Sequence, residues 1–189
     1  MIKKNILAAA FMFAGLTLAA SASAEVYMGA ALGQAKWDAS CAGATTCKTS
    51  DTSYKFIAGY DFTRIFGVEG SYFSLGELSA SNATTAGEMR AKGFEFSGVV
   101  NTPRIGGISG FAKLGVAAIK GEANGTIGPL SASASKSSAQ AVYGFGMKYL
   151  FAEKTSLRVE IDRRKVKVSD INNSTVNVTN FSIGVQASY

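Results

Sequence analysis

The chain has 189 residues, 47% of them hydrophobic and only 17% charged, with 21 glycines, two prolines, a formal net charge of +6 and no histidine. At ~100–200 residues per domain this length holds one domain, and the apolar share excludes a disordered chain. Without histidine there is no Ser–His or Cys–His pair, no imidazole metal ligand and no histidine pH switch. Two cysteines cannot furnish a four-thiolate zinc site. No catalytic centre, cofactor or metal is expected.

Lys3 and Lys4 precede an apolar stretch over residues 6–20, broken only by Gly15 and Thr17, and the run Ala20-Ser21-Ala22-Ser23-Ala24 follows it. This is the pattern of a cleaved secretory signal covering 1–24. A retained anchor is the alternative, but it would need ~20 apolar residues to span a bilayer. The mature domain is then 25–189 and is exported. In an oxidising compartment Cys41 and Cys47 are expected to close a small loop as a disulfide. Two free thiols are the alternative.

Along the mature chain the recurring signal is period-two alternation, the mark of strands with two unlike faces. It predicts strands over 26–37, 53–62, 66–76, 90–101, 108–120, 138–150, 156–168 and 176–189. Each has about the ~9–11 residues that a tilted strand needs to cross a bilayer. Connections at 63–65, 102–107 and 151–155 are short, whereas those at 38–52, 77–88, 121–137 and 169–175 are longer and polar. The Ser131-Ala132-Ser133-Ala134-Ser135 tract reads as a mobile tip. Short turns on one side and long loops on the other describe an all-β, eight-stranded antiparallel up-and-down transmembrane barrel, with the turns periplasmic and the loops extracellular.

Facing decides between a membrane barrel and a soluble one. Phe181, Ile183, Val185, Ala187 and Tyr189 alternate with Ser182, Gly184, Gln186 and Ser188; Leu157, Val159 and Ile161 alternate with Arg158, Glu160 and Asp162. A soluble ligand-binding barrel would turn the apolar set inwards. The aromatic-rich apolar face, set against charges interspersed with glycines, favours lipid outside and a narrow polar lumen inside. The expected location is the Gram-negative outer membrane.

The chain resembles the OmpA-type family of small eight-stranded outer-membrane barrels. The residues that carry the resemblance are Val26-Tyr27-Met28-Gly29-Ala30-Ala31-Leu32-Gly33, Val68-Glu69-Gly70-Ser71-Tyr72, Tyr143-Gly144-Phe145-Gly146, Leu157-Arg158-Val159-Glu160 and the last strand ending in an aromatic. The resemblance covers essentially the whole mature chain and is closest to barrel-only members. It implies that Phe181, Ile183, Val185 and Tyr189 form a signal read by the outer-membrane assembly machinery, with interfacial anchoring as a second role for Tyr189. It also implies an inner salt-bridge cluster that can act as a gate, in which Glu69 and Arg158 match two family positions. Lys148 stands where an acid is expected and Val99 where a lysine is, so the gate is not carried over intact.

By parity, Glu69, Glu95, Lys113, Lys148, Arg158 and Glu160 point into the lumen as a charge cluster, and unpaired charges there would be costly. A structural plug is favoured over a small gated channel. Lys36, Arg90, Lys92, Lys120, Arg163, Lys165 and Lys167 share the lipid-facing parity at the extracellular strand ends. They are expected to contact lipopolysaccharide phosphates, with a solvated basic rim as the alternative. The function expected is structural or surface interaction, through adhesion or host contact by the loops; an outer-membrane enzyme is the less favoured class. No nucleic-acid partner is expected, and the protein is expected to be a monomer.

Overall fold

The computed structural model describes residues 24–39, 44–167 and 175–189. The signal segment through Ser23, and Cys41 of the expected disulfide, lie outside the described residues. The strands are β1 (Glu25–Trp37), a short β2 (Thr46–Lys48), β3 (Ser50–Asp61), β4 (Phe66–Ser81), β5 (Thr85–Asn101), β6 (Ile108–Ile127), β7 (Leu130–Ala152), β8 (Thr155–Lys167) and β9 (Thr175–Ser188). All but β2 join one antiparallel ring: neighbours in sequence pair, β1 pairs with β9, and the β4–β5 ladder completes the closure. β2 lies on the outer end of β4, Cys47 opposite Ala80. Closure satisfies the backbone along the ring, which hydrocarbon requires of any spanning sheet.

The faces are inverted relative to a soluble barrel. Phe94, Leu114 and Phe145 are 60–70% exposed on the outside, whereas Glu69, Arg158 and Asp162 are almost wholly buried inside. Water would not tolerate that exterior and hydrocarbon requires it, so the fold is a transmembrane barrel. Tyr60, Phe62, Phe66, Tyr149 and Phe151 ring the periplasmic edge, and Tyr54, Tyr72 and Tyr143 stand nearer the extracellular one. Such girdles mark the two bilayer interfaces.

Side-chain caps tie the periplasmic turns. Thr63 Oγ1 accepts from the amides of Ile65 (3.2 Å) and Phe66 (2.9 Å), and Thr102 Oγ1 accepts from the Gly110 amide at 2.8 Å. The extracellular side departs from the sequence expectation. Most of 77–88 and 121–137 is not loop: β4 and β5 stay paired out to Ser81–Ala86, and β6 and β7 to Ile127–Leu130. The Ser131–Ser135 tract is strand, not a mobile tip. Tight turns allow this. Asn82 Oδ1 accepts from the amides of Thr84 and Thr85 at 3.1 and 2.8 Å. Gly128, at φ 57°, takes the left-handed conformation that the Gly128-Pro129 corner needs. Weak strand formers are carried by the ladder on either side.

The lumen is layered. At its extracellular end Ala35, Trp37, Leu75, Leu78, Ala91, Ile119, Val142, Val166 and Val178 form a buried apolar cluster. Beneath it lie the charged side chains. The mature chain in detergent should give a β-type circular dichroism spectrum and heat-modifiable migration. By hydrogen exchange, amides of residues 121–127 and 130–135 should be protected relative to the 102–107 turn; equal, fast exchange would return the hairpins to mobile loops.

Candidate functional site: lumen charge network and outer basic rim

Five of the six charges expected in the lumen meet in one network. Arg158 grips Glu69 through both guanidinium ends, at 2.6 and 3.1 Å, and also pairs with Glu160 at 2.8 Å. Lys113 Nζ lies 2.5 Å from Glu160, 2.6 Å from Glu95 and 3.5 Å from Glu69. A planar guanidinium suits the two-pronged contact and a compact ammonium suits a three-way junction.

Three further members complete it: Lys55, Asp162 and Arg164. Lys55 Nζ pairs with Glu160 at 2.8 Å and Asp162 at 2.5 Å, and Arg164 pairs with Asp162 and, at 3.2 Å, with Glu95. The parity signal for all three was present. Lys55 shares its face with Ser53 and Gly59, while Asp162 and Arg164 continue the Arg158–Glu160 face. Four cations face four carboxylates, so the buried set is formally neutral.

Neutral groups supply further contacts, while among the described residues Glu95 Oε2 and the Nε and Nη1 of Arg164 keep no hydrogen-bond partner. Tyr27 donates its hydroxyl to Glu69 (3.1 Å), Ser97 donates to Glu95 (3.1 Å), and Gln186 accepts from Arg158 (3.2 Å). The Arg158 guanidinium sits 4.2 Å from the Phe111 ring centre, and that of Arg164 sits 4.0 Å from Phe73. Those rings satisfy the flat faces of the guanidiniums. The Tyr27 ring lies against Gly59, where a Cβ would stand 2.1 Å from Cζ, so any side chain there would displace the ring that reaches Glu69.

Lys148 is the correction to the expected cluster. It stands opposite Arg158 in the ladder, so the carboxylates above are already engaged by a neighbour of like charge. Its ammonium instead lies 5.5 and 5.6 Å from the ring centres of Tyr27 and Phe111. There it lines a cavity of about 820 Å³ at the periplasmic mouth, with Asp61, Arg64 and Arg104. Val99, noted for its missing lysine, stands directly across from Lys113, which supplies a cation at that level.

Outside, Lys36, Arg90, Lys92, Lys120, Arg163 and Lys165 are exposed and Lys167 half-exposed. Lys36, Arg163, Lys165 and Lys167 stand near extracellular strand ends, whereas Arg90, Lys92 and Lys120, expected at such ends, lie within β5 and β6, which run on to Thr85 and Ile127. They form two groups rather than one. Lys36 and Arg163 flank Thr179 in the β8–β9–β1 ladders, below Lys165 and Lys167; Lys92 stands opposite Lys120 across β5 and β6, with Arg90 above. Arg163 pairs with Asp38 (3.1 Å), Arg90 with Glu77 (2.5 Å) and Lys120 with Glu122 (2.7 Å). On β9, Phe181, Ile183 and Val185 point outwards, and the Tyr189 amide donates to the Val26 carbonyl at 2.9 Å.

Inverted faces, a closed ladder and paired aromatic girdles define an integral outer-membrane β-barrel protein. The chain matches the family model of the outer membrane protein beta-barrel domain over residues 6–188, and it belongs to that family. Its fold is similar to that of the attachment invasion locus protein Ail of Yersinia pestis, at 18% identity and a TM-score of 0.55 over 88% of this chain and 97% of that one. Neisserial surface protein A (16% identity, TM-score 0.55, 88% and 97%) and OprG of Pseudomonas aeruginosa (14%, 0.55, 88% and 96%) share it equally. No curated protein sequence matches the chain.

Glu160 contacts three cations of the network, so Glu160→Gln should lower unfolding free energy by ~3–5 kcal/mol, the ordinary effect of breaking a buried ion pair. Lys148→Met should stay within ~1 kcal/mol, as it breaks no such pair. Urea unfolding from lipid vesicles measures both; equal effects would contradict the separation of Lys148 from the network.

Proposed function

We propose that the protein is a structural and surface-interaction barrel whose lumen is plugged. The observation that carries this reading is the stacking of the neutral charge network beneath the apolar cluster around Trp37. An ion crossing the lumen would have to part several buried pairs and then enter an apolar layer, and each step is costly in a low-dielectric space. Planar-bilayer recording should therefore show silence or small, rare openings. Steady, large conductance would turn the function to transport.

The outward role rests on the extracellular hairpins, which carry strand structure beyond the lipid-facing band and offer a firm surface for adhesion or host contact. The Cys41–Cys47 disulfide would brace the first of these connections, beside β2. The seven basic residues supply the second contact of the reading, with phosphates of lipopolysaccharide in the outer leaflet, centred on Arg163, Lys165 and Lys167. At the interface such charges cost little, whereas at the bilayer midplane each would cost ~2–4 kcal/mol. Replacing these three with glutamine should weaken binding to lipopolysaccharide and lower thermal stability in its presence, against a lumen variant as control. Unchanged values would reduce them to a solvated rim.

A further inference from the structure

The pairing registers place the outward side chains of β3 to β6 in rows. The row Phe56, Tyr72, Phe94, Ala118 is apolar and aromatic. The row above it is Tyr54, Ser74, Lys92, Lys120, and above that stand Glu77, Arg90 and Glu122. Lys92 and Lys120 are therefore the first charges met on leaving the hydrocarbon band, at the depth of lipid head groups.

They are also directly opposite one another, an arrangement that destabilises a ladder when both are cations. The neighbouring charges relieve this conflict only on the Lys120 side, where Glu122 pairs with its ammonium. Glu77 is engaged by Arg90 at 2.5 Å, Glu122 by Lys120 at 2.7 Å, and Asp51 by Lys48 at 2.7 Å. Among the described residues no carboxylate lies within 4 Å of the Lys92 ammonium. Lys120 spends one of its three donors on Glu122 and keeps two.

The wall is indented at this place. The β4–β5 register shifts between Ser74 and Glu77, Gly76 takes φ 68°, and Asp51 accepts from the freed Glu77 amide at 2.8 Å. The result is a cavity of about 340 Å³ lined by Tyr54, Tyr72, Ser74, Lys92 and Lys120, with the paired charges Asp51, Glu77, Arg90 and Glu122 also on its wall.

The geometry points to a binding site for the phosphate monoester of an outer-leaflet lipid, held between Lys92 and Lys120 with the hydroxyls of Ser74 and Tyr72 beside it. This deepens, and rests on, the reading that the outer basic residues meet lipid phosphates, but it moves the principal site from β8 to the β5–β6 wall. An anion between the two ammonium groups turns a like-charge clash into two charge-assisted hydrogen bonds. The lipid's acyl chains would then lie along Phe94 and Tyr72. Glu122 is the competing anion.

The test titrates the mature barrel in zwitterionic detergent micelles with lipid A, with enzymatically dephosphorylated lipid A, and with inorganic phosphate, following amide NMR shifts along β5 and β6. K92Q/K120Q should weaken lipid A binding about tenfold or more, the ordinary loss for charged hydrogen bonds. E122Q should tighten it, a gain that no folding defect can imitate. Dephosphorylated lipid A should bind native protein as weakly as intact lipid A binds K92Q/K120Q. Unchanged affinity in K92Q/K120Q, or equal binding of the dephosphorylated lipid, overturns the site. Inorganic phosphate binding as tightly as lipid A overturns the lipid as its occupant. R163Q/K165Q/K167Q separates the readings: loss there alone keeps the β8 belt and rejects this site, loss in K92Q/K120Q alone does the reverse, and loss in neither rejects both.

Discussion

Charge neutrality inside a narrow closed ladder is the constraint on which the other features depend. Eight strands leave room for side chains and little else, so an ionised group buried in mid-lumen must find its counter-charge among the other inward side chains. Lys55, Lys113, Arg158 and Arg164 answer Glu69, Glu95, Glu160 and Asp162, drawn from β3, β4, β5, β6 and β8. Because the pairs cross the lumen, they tie together strands that share no ladder: Lys55 on β3 reaches Asp162 on β8, and Arg158 on β8 reaches Glu69 on β4. A register slip of one residue would turn each of these charges towards lipid. The network therefore specifies register as much as it contributes stability, and specificity is the better-attested use of buried ion pairs.

The same constraint explains the layer above. Ion pairs strengthen where water is excluded, and at the extracellular end of this barrel the apolar cluster supplies that exclusion. Trp37 and Val178 enter it from β1 and β9, and Leu78, Ile119 and Val142 from β4, β6 and β7. Phe73 belongs to both layers: it packs in the apolar cluster and lies under the Arg164 guanidinium. An aromatic ring does both, because its edge packs like hydrocarbon while its face accepts a cation.

The fold was legible because period-two alternation survives in every strand, and each lipid-facing row is long enough to span. Where legibility failed, the local signal was weak or non-local. Residues 121–137 are rich in Ala, Gly and Ser, which read as loop; only the neighbouring strands hold them extended. Inward parity identified Glu69, Glu95, Lys113, Arg158 and Glu160 individually. Lys55 shares its face with Ser53 and Gly59, which give it no charged neighbour in sequence, and its partners lie more than a hundred residues away. Lys148 failed for the opposite reason. Its parity is inward, but parity says nothing of height, and standing opposite Arg158 it is left with the mouth and two aromatic rings.

Height also orders the outer surface. In the buried network each charge has its opposite; outside, the pairing is incomplete, and the difference follows from the solvent. A lumen has only protein with which to neutralise a cation, whereas the outer rim meets head groups that carry their own charge. On β5 and β6 the sequence passes from Phe94 and Ala118 to Lys92 and Lys120 in one step of the pleat, and reaches Arg90 and Glu122 in the next. Carboxylates enter only at that upper row, where water is plentiful, and the row nearest the hydrocarbon carries cations alone. Had the rim been shaped for solubility, mixed signs would serve at both levels. A cation-only row next to the hydrocarbon is what a surface needs when its counter-charge arrives with the lipid.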